Sequence, residues 1–291
     1  MERIKQALEL ARQEREKHGE VVSRANVDPV DQSIEYTETR TVNLSPDGLR
    51  EKRIILEQSD SVADAYRLLR TQVLQRLNEK NWNALGVTSP NGSSGKTITA
   101  INLAISLARE VNNTVLLVDA NLRSPKVHNY FDIYVEKGLS DYLSGDVLLS
   151  EILIHPNGID KFVILPAGHA IANSSEMLSS PKMTRLVEEL KQRYPSRIVL
   201  FDLPPLLESS DALAFLPNTD AALMVIEDGG TKELELRQAF ELLASHEVIG
   251  TVLNKSYTRD RHYGNLSVKP GLLSQLLNKL SKKKLPVWNK Q

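Results

Sequence analysis

The chain has 291 residues, 41% of them hydrophobic, with 36 Lys and Arg against 37 Asp and Glu. That length holds one large α/β domain with tails more readily than two domains, and the near-zero charge balance predicts no nucleic-acid partner. The absence of cysteine excludes a disulfide framework and thiolate metal sites.

The six histidines form no ligand-spaced pair and read as surface or packing residues. No apolar run approaches the ~20 residues that a bilayer span needs, and the charged N-terminus has no signal-peptide core. These features predict a cytoplasmic protein.

Residues 1–20 read as a charged amphipathic helix, with Ile4, Ala7, Leu8 and Ala11 on one face at positions i, i+3, i+4 and i+7. A solvated terminal helix and a helix docked on a partner or a lipid surface fit this stripe equally. From 21 to 52 the chain is polar, without sustained periodicity, and a flexible linker is expected. Order resumes at Arg53-Ile54-Ile55-Leu56, the start of a domain predicted over 53–256. In the helix that follows, Val62, Ala65, Leu69, Val73 and Leu77 mark a buried face, while Asp64, Arg67 and Arg70 share another. That second face is either solvated, with i,i+3 pairs, or built to meet acidic groups on another subunit.

The apolar run Ala84-Leu85-Gly86-Val87 leads into Ser89-Pro90-Asn91-Gly92-Ser93-Ser94-Gly95-Lys96-Thr97, after which Ile98, Ile101, Ala104, Ile105 and Ala108 recur at helical spacing. A strand that breaks into a glycine-bearing loop and then a helix is the build of a phosphate cradle. Its backbone N–H groups point inward, and those at the helix start attract anions. Residues Asn91, Gly92, Ser93, Ser94, Gly95, Lys96, Thr97 and Ile98 are the expected cradle. Lys96 belongs on terminal phosphates and the Thr97 hydroxyl on a magnesium ion. Pro90 stands where the pattern G-x-x-x-x-G-K-[ST] has its first glycine, and Gly95-Lys96-Thr97 alone also fits a plain βα turn.

Val115-Leu116-Leu117-Val118-Asp119 is apolar throughout, as a parallel strand buried on both faces should be. It ends in an acid, at the strand end where open α/β sheets place their sites. Gly138-Leu139-Ser140-Asp141-Tyr142-Leu143 predicts a short helix, and Phe162-Val163-Ile164-Leu165 a strand. Met183, Leu186, Val187 and Leu190 then stripe a helix. Arg197-Ile198-Val199-Leu200-Phe201-Asp202-Leu203-Pro204-Pro205 repeats the device of an apolar strand closed by a carboxylate; a single such Asp also fits a helix cap. A strand over 221–226, a helix over 233–243 and a strand over 249–254 complete the alternation. The fold class expected is α/β: a mostly parallel, doubly wound sheet with helices on both faces. In the tail, 257–291, Leu272, Leu273, Leu276, Leu277 and Leu280 precede Lys282-Lys283-Lys284. This is the composition of a basic amphipathic helix, either interfacial or packed on the domain.

Lys96-Thr97, Asp119-Ala120-Asn121-Leu122-Arg123 and Asp202-Leu203-Pro204-Pro205, in that order, resemble the bacterial tyrosine kinases (BY-kinases), within the MinD-type P-loop ATPases. The resemblance covers residues 61–256 and takes in Arg67-Leu68-Leu69-Arg70-Thr71, Gly138-Leu139-Ser140-Asp141, Leu165-Pro166-Ala167-Gly168 and Val252-Leu253-Asn254. The N-terminal helix and linker resemble the freestanding autokinases of exopolysaccharide clusters. What this implies is a P-loop NTPase fold, ATP and Mg2+ as cofactors, and a protein tyrosine autokinase that forms a homo-oligomer. It implies regulation of polysaccharide export or chain length through a membrane co-polymerase or chain-length regulator, with recruitment to the inner face of the membrane.

Carried over by residue, Gly95, Lys96 and Thr97 hold phosphates and metal, Asp202 organises the metal's water shell, and Asp119 is the candidate base beside the metal. Asn254 takes the adenine-contacting position, and Asp64, Arg67 and Arg70 match the subunit contact E-x-x-R-x-x-R. Three positions depart from the pattern. Asn121 replaces a second aspartate, Asp64 replaces the glutamate, and only Tyr257 and Tyr263 stand in the tail as phosphorylation candidates. A second expectation therefore stays open: a nucleotide-gated MinD-like ATPase or assembly protein that phosphorylates no tyrosine.

Overall fold

The structure, a computed structural model, describes residues 39–56, 61–145, 147–193 and 196–256. The predicted 1–20 helix, most of the linker and the tail with Tyr257, Tyr263 and the leucine stripe lie outside the described residues.

The end of the expected linker is folded. Strand β1 (Arg40–Val42) is followed by helix α1 (Pro46–Glu51). Ser45 Oγ accepts the Gly48 N–H at 3.3 Å, and Pro46 opens the first turn, where its missing N–H is no loss. Leu49 is buried, a contribution of about 1.5–3 kcal/mol for a full leucine side chain. Both elements are too short to show a period, which is why the polar sequence read as linker.

Helix α2 (Ser61–Lys80) leads to strand β2 (Ala84–Thr88), and helix α3 (Lys96–Ala108) follows the glycine-bearing loop. Next come strand β3 (Thr114–Asp119), the short helices α4 (Val127–Tyr130), α5 (Leu139–Ser144) and α6 (Leu149–Ile152), and strands β4 (Ile154–Pro156) and β5 (Phe162–Leu165). Helices α7 (Ser174–Leu178) and α8 (Pro181–Gln192), strand β6 (Arg197–Asp202) and helix α9 (Asp211–Phe215) precede strand β7 (Ala221–Glu227). Helix α10 (Glu233–Leu242) and strand β8 (Val248–Asn254) close the described chain. The strands form one sheet in the order β1-β4-β5-β3-β6-β2-β7-β8. Every pair is parallel except β4 with β5.

Side chains that alternate along the central strands feed two cores. Leu85, Val87, Leu117, Leu200 and Val225 pack with Val73, Leu77, Ile101 and Ile105 of α2 and α3. Leu116, Val118, Val199, Phe201 and Met224 pack on the opposite face with Leu186, Val187, Leu190 and Leu236 of α8 and α10. Val62, expected on the buried face of α2, is 48% exposed, and Ala63 is buried in its place.

Helix α3 is buried along nearly its whole length, with the sheet, α2 and the segment before α2 packed around it. Asn102 reads that segment with both ends of its amide: Oδ1 accepts the Ile55 N–H at 3.0 Å and Nδ2 donates to Arg53 O at 3.1 Å. Arg109 donates to Ile55 O at 3.2 Å. Among the described residues, no helix is long and apolar enough to cross a membrane.

Candidate active site

The site lies at the C-terminal ends of β2, β3 and β6, where the loop after β2 turns into α3. Gly95 has φ +82°, and a Cβ there would stand 2.3 Å from Asn254 Nδ2. Only glycine meets both demands without strain. Lys96 is 4% exposed and donates from Nζ to Asp202 Oδ1 and to Thr97 Oγ1, each at 3.2 Å. Thr97 Oγ1 donates to Asp202 Oδ2 at 2.7 Å. The loop, the lysine and the threonine are thus fastened to the carboxylate that ends β6.

Asp119 is the register partner of Asp202 across the β3–β6 pair, and both are fully buried. Asp119 Oδ2 accepts the N–H groups of Lys126 at 2.9 Å and Val127 at 3.0 Å, and Oδ1 accepts that of Asn121 at 3.2 Å. Two oxygens offer about four lone-pair sites, so one remains for another proton. The Asp119 carboxyl is pushed up to about 7, first by burial and then by the Asp202 charge, against the lowering effect of the Val127 and Lys126 N–H groups and of Lys96.

Three glutamates surround the tip of the loop. Asn91 Nδ2 donates to Glu235 Oε2 at 2.9 Å, the Gly92 N–H to Glu208 Oε1 at 2.6 Å, and Ser93 Oγ to Glu227 Oε2 at 3.3 Å. Asn254 donates from Nδ2 to Ser94 O at 2.9 Å, and Lys255 from Nζ to Glu227 Oε1 at 3.0 Å. The Glu235 carboxyl is held below the usual range, chiefly by the Lys232 N–H. Sequence reasoning missed all three glutamates. Glu227 was findable, because it closes the apolar run Ala221-Ala222-Leu223-Met224-Val225-Ile226 as Asp119 and Asp202 close theirs.

The expected residues divide into those the fold brings together and those it does not. Asn91 to Thr97, Asp119, Asp202 and Asn254 converge; Asn254 meets the loop backbone, and the Ile98 side chain packs against the core. Asn121 is buried in the loop after β3, and its backbone N–H donates to Asp119. Asp64 and Arg67 pair with each other on α2, both partly exposed. Arg70 departs from the expected shared face. It is 17% exposed, bonded to Glu110 Oε1 at 2.8 Å and donating to Ser106 O at 3.1 Å, so it clamps α2 onto α3. Its long side chain reaches a partner within the chain that helical spacing does not reveal.

These residues fit a magnesium-bound nucleotide. The candidate donors are hard oxygens from Thr97 and Asp202, with Asp119 beside them, and no group of three or more His, Asp or Glu side chains that could hold a metal forms among the described residues. Magnesium suits such a site, since it binds through one or two carboxylates and takes the rest of its shell from phosphate oxygens and water. The buried Lys96 ammonium and the free N–H groups at the start of α3 supply the complementary charge.

A parallel sheet with this loop between β2 and α3, and carboxylates closing the neighbouring strands, defines an ATPase-type α/β domain. The chain belongs to the AAA domain family, whose profile matches residues 83–235. It is similar to the tyrosine-protein kinase etk of Escherichia coli, with 32% identity over 198 residues that make up 67% of this chain and 27% of that protein. The chain therefore spans about a quarter of the length of that relative. It is also similar to the tyrosine-protein kinase YwqD of Bacillus subtilis, with 28% identity over 225 residues, 73% of this chain and 90% of YwqD. Among solved structures, the kinase domain of the Escherichia coli tyrosine kinase ETK superposes with a TM-score of 0.65 and 28% identity, covering 78% of this chain and 94% of that one. The septum site-determining protein MinD of Pyrococcus horikoshii shares the fold, with a TM-score of 0.50 and 23% identity over 61% of this chain and 71% of that one.

Proposed function

We propose that this chain is an ATP- and Mg2+-dependent protein tyrosine autokinase of the bacterial type. The observation that carries the reading is the buried pair Asp119 and Asp202 in register, with Lys96 and Thr97 fastened to the second carboxylate. Lys96, Thr97 and Asp202 would hold magnesium–ATP, which would supply the phosphoryl group and a divalent charge. Lys96 neutralises phosphate charge, Thr97 and Asp202 orient the metal's ligands, and the loop N–H groups fix the phosphate oxygens. Positioning and charge neutralisation supply most of the rate in this chemistry. Asp119 keeps one lone-pair site for the tyrosine hydroxyl proton, the geometry a general base needs.

The likeness to etk and YwqD supports the tyrosine as acceptor. The resemblance to autokinases of exopolysaccharide clusters supports a role in polysaccharide export or chain length, exerted on a membrane co-polymerase by a homo-oligomer at the inner membrane face. A second reading, a nucleotide-gated ATPase without kinase activity, is favoured by Asn121, which puts an amide where the BY-kinase pattern carries an acid. Incubating the purified chain with ATP and Mg2+ and probing with anti-phosphotyrosine antibody separates the two. Signal in the wild type and none in Lys96→Ala is expected. ATP hydrolysis with no phosphotyrosine would overturn the kinase reading in favour of the ATPase.

A further inference from the structure

The three glutamates at the loop tip are not equivalent. Glu235 accepts the Lys232 N–H at 2.9 Å besides Asn91, and Glu227 accepts Lys255 at 3.0 Å besides Ser93. Each would keep a donor if the loop let go. Glu208 differs: among the described residues the Gly92 N–H is the one donor it meets, at 2.6 Å. Its place is set by backbone pairing, since the Leu206 N–H donates to Ser89 O at 2.9 Å and the Leu207 N–H to Pro90 O at 3.2 Å. The segment after Pro205 therefore runs alongside the loop and delivers a carboxylate to its tip. A Cβ added to Gly92 would stand 3.0 and 3.1 Å from the two Glu208 oxygens, so the carboxylate lies over the glycine.

A carboxylate oxygen on a loop N–H makes the same charge-assisted bond that a phosphate oxygen makes in such a cradle. We propose that Glu208 is an internal anion that holds the Gly92 N–H in the nucleotide-free chain and must leave before a polyphosphate can use it. Glu208 thereby sets the affinity of the site for phosphate-rich ligands. This rests on the reading of the loop as a phosphate cradle. Release is easier for Glu208 than for its two neighbours because it is exposed and water replaces its single partner. The competition is electrostatic as well as steric, since a polyphosphate brings several negative charges to a carboxylate at hydrogen-bond range.

The test is a titration of fluorescent ATP into the full chain with Mg2+, and its competition by inorganic tripolyphosphate. The proteins compared are wild type, Glu208→Gln, Lys96→Ala, and Glu241→Gln as a control for the loss of one exposed charge at the far end of α10 from the loop-bonded Glu235. Glu208→Gln should bind both probes about fivefold more tightly, a gain that shrinks in 0.5 M salt as screening weakens the repulsion. Glu241→Gln should match wild type. Equal or weaker binding by Glu208→Gln, while Lys96→Ala weakens binding, overturns the internal-anion proposal and leaves the cradle standing. An equal gain in Glu241→Gln also overturns it, because loss of any negative charge would then suffice. Unchanged binding in Lys96→Ala overturns the cradle reading itself.

Discussion

Asp119 should make the ligand-free protein less stable as pH rises from about 4 to about 7. In the fold its carboxyl is pushed up to about 7 by burial and by the Asp202 charge; in the unfolded chain such a group titrates near 3.9. Below the unfolded value both states hold the proton. Between the two values the folded state keeps it and the unfolded state has lost it, so stability falls as pH rises, and it levels off above the folded value. About three pH units at 1.36 kcal/mol each give roughly 4 kcal/mol, a large part of the 5–15 kcal/mol typical of a domain.

The assay is urea unfolding in EDTA at pH 4.5 to 8.5, on wild type and Asp119→Asn. Asparagine keeps a carbonyl oxygen for some of the N–H groups of Asn121, Lys126 and Val127, so the variant loses about 1–3 kcal/mol of hydrogen bonding. It also loses the ionisation. The difference between the curves reports the Asp119–Asp202 pair, because His128, held below its usual range by burial, is common to both proteins. The variant should be the weaker protein near pH 5 and the stronger one at pH 8. Parallel curves across the range would refute the reasoning, by showing that Asp119 ionises in the fold as easily as in the open chain.

Arg70→Ala should destabilise by about 1–3 kcal/mol, since it strips Glu110 and Ser106 O of a largely buried partner, whereas Arg67→Ala should leave urea stability within about 0.5 kcal/mol. If the α2 face meets another subunit, light scattering on Arg67→Ala will show a smaller mass; an unchanged mass would return that face to a solvated role. Asn121→Asp should lower the magnesium needed for half-maximal turnover and raise the rate by adding a carboxylate to the loop beside Asp119, and an unchanged magnesium series would take position 121 out of the metal shell. Phosphopeptide mapping should find phosphate on Tyr257 or Tyr263. Phosphate confined to Tyr66, half-buried against the core beside α3, or to Tyr130 or Tyr142, would contradict that assignment.

The central strands were legible because a strand buried on both faces must be apolar throughout, and β3, β6 and β7 are. Lys96, Thr97, Asp119 and Asp202 were legible because parallel strands deliver their C-terminal residues to one edge of the sheet. Four of the shortest elements were not: β1, β4, α4 and α6, three or four residues long, offer no full period, and their stability comes from neighbours far away in sequence. Long polar side chains escaped for a related reason. Arg70 and Glu208 are placed by residues 36 and 116 positions away in the chain, and helical spacing or local composition carries no trace of that.

The folded stretch ahead of α2 decides where a working fragment can be cut. A boundary at 53, where periodicity begins, would remove the strand that pairs with β4 and the leucine that α1 puts into the core. β4 would become a bare sheet edge, open to strand addition from any other chain. A tag or fusion partner joined directly at that point would crowd the backbone that Asn102 and Arg109 hold against α3. The smallest unit fit for expression, labelling or grafting therefore begins ahead of Arg40.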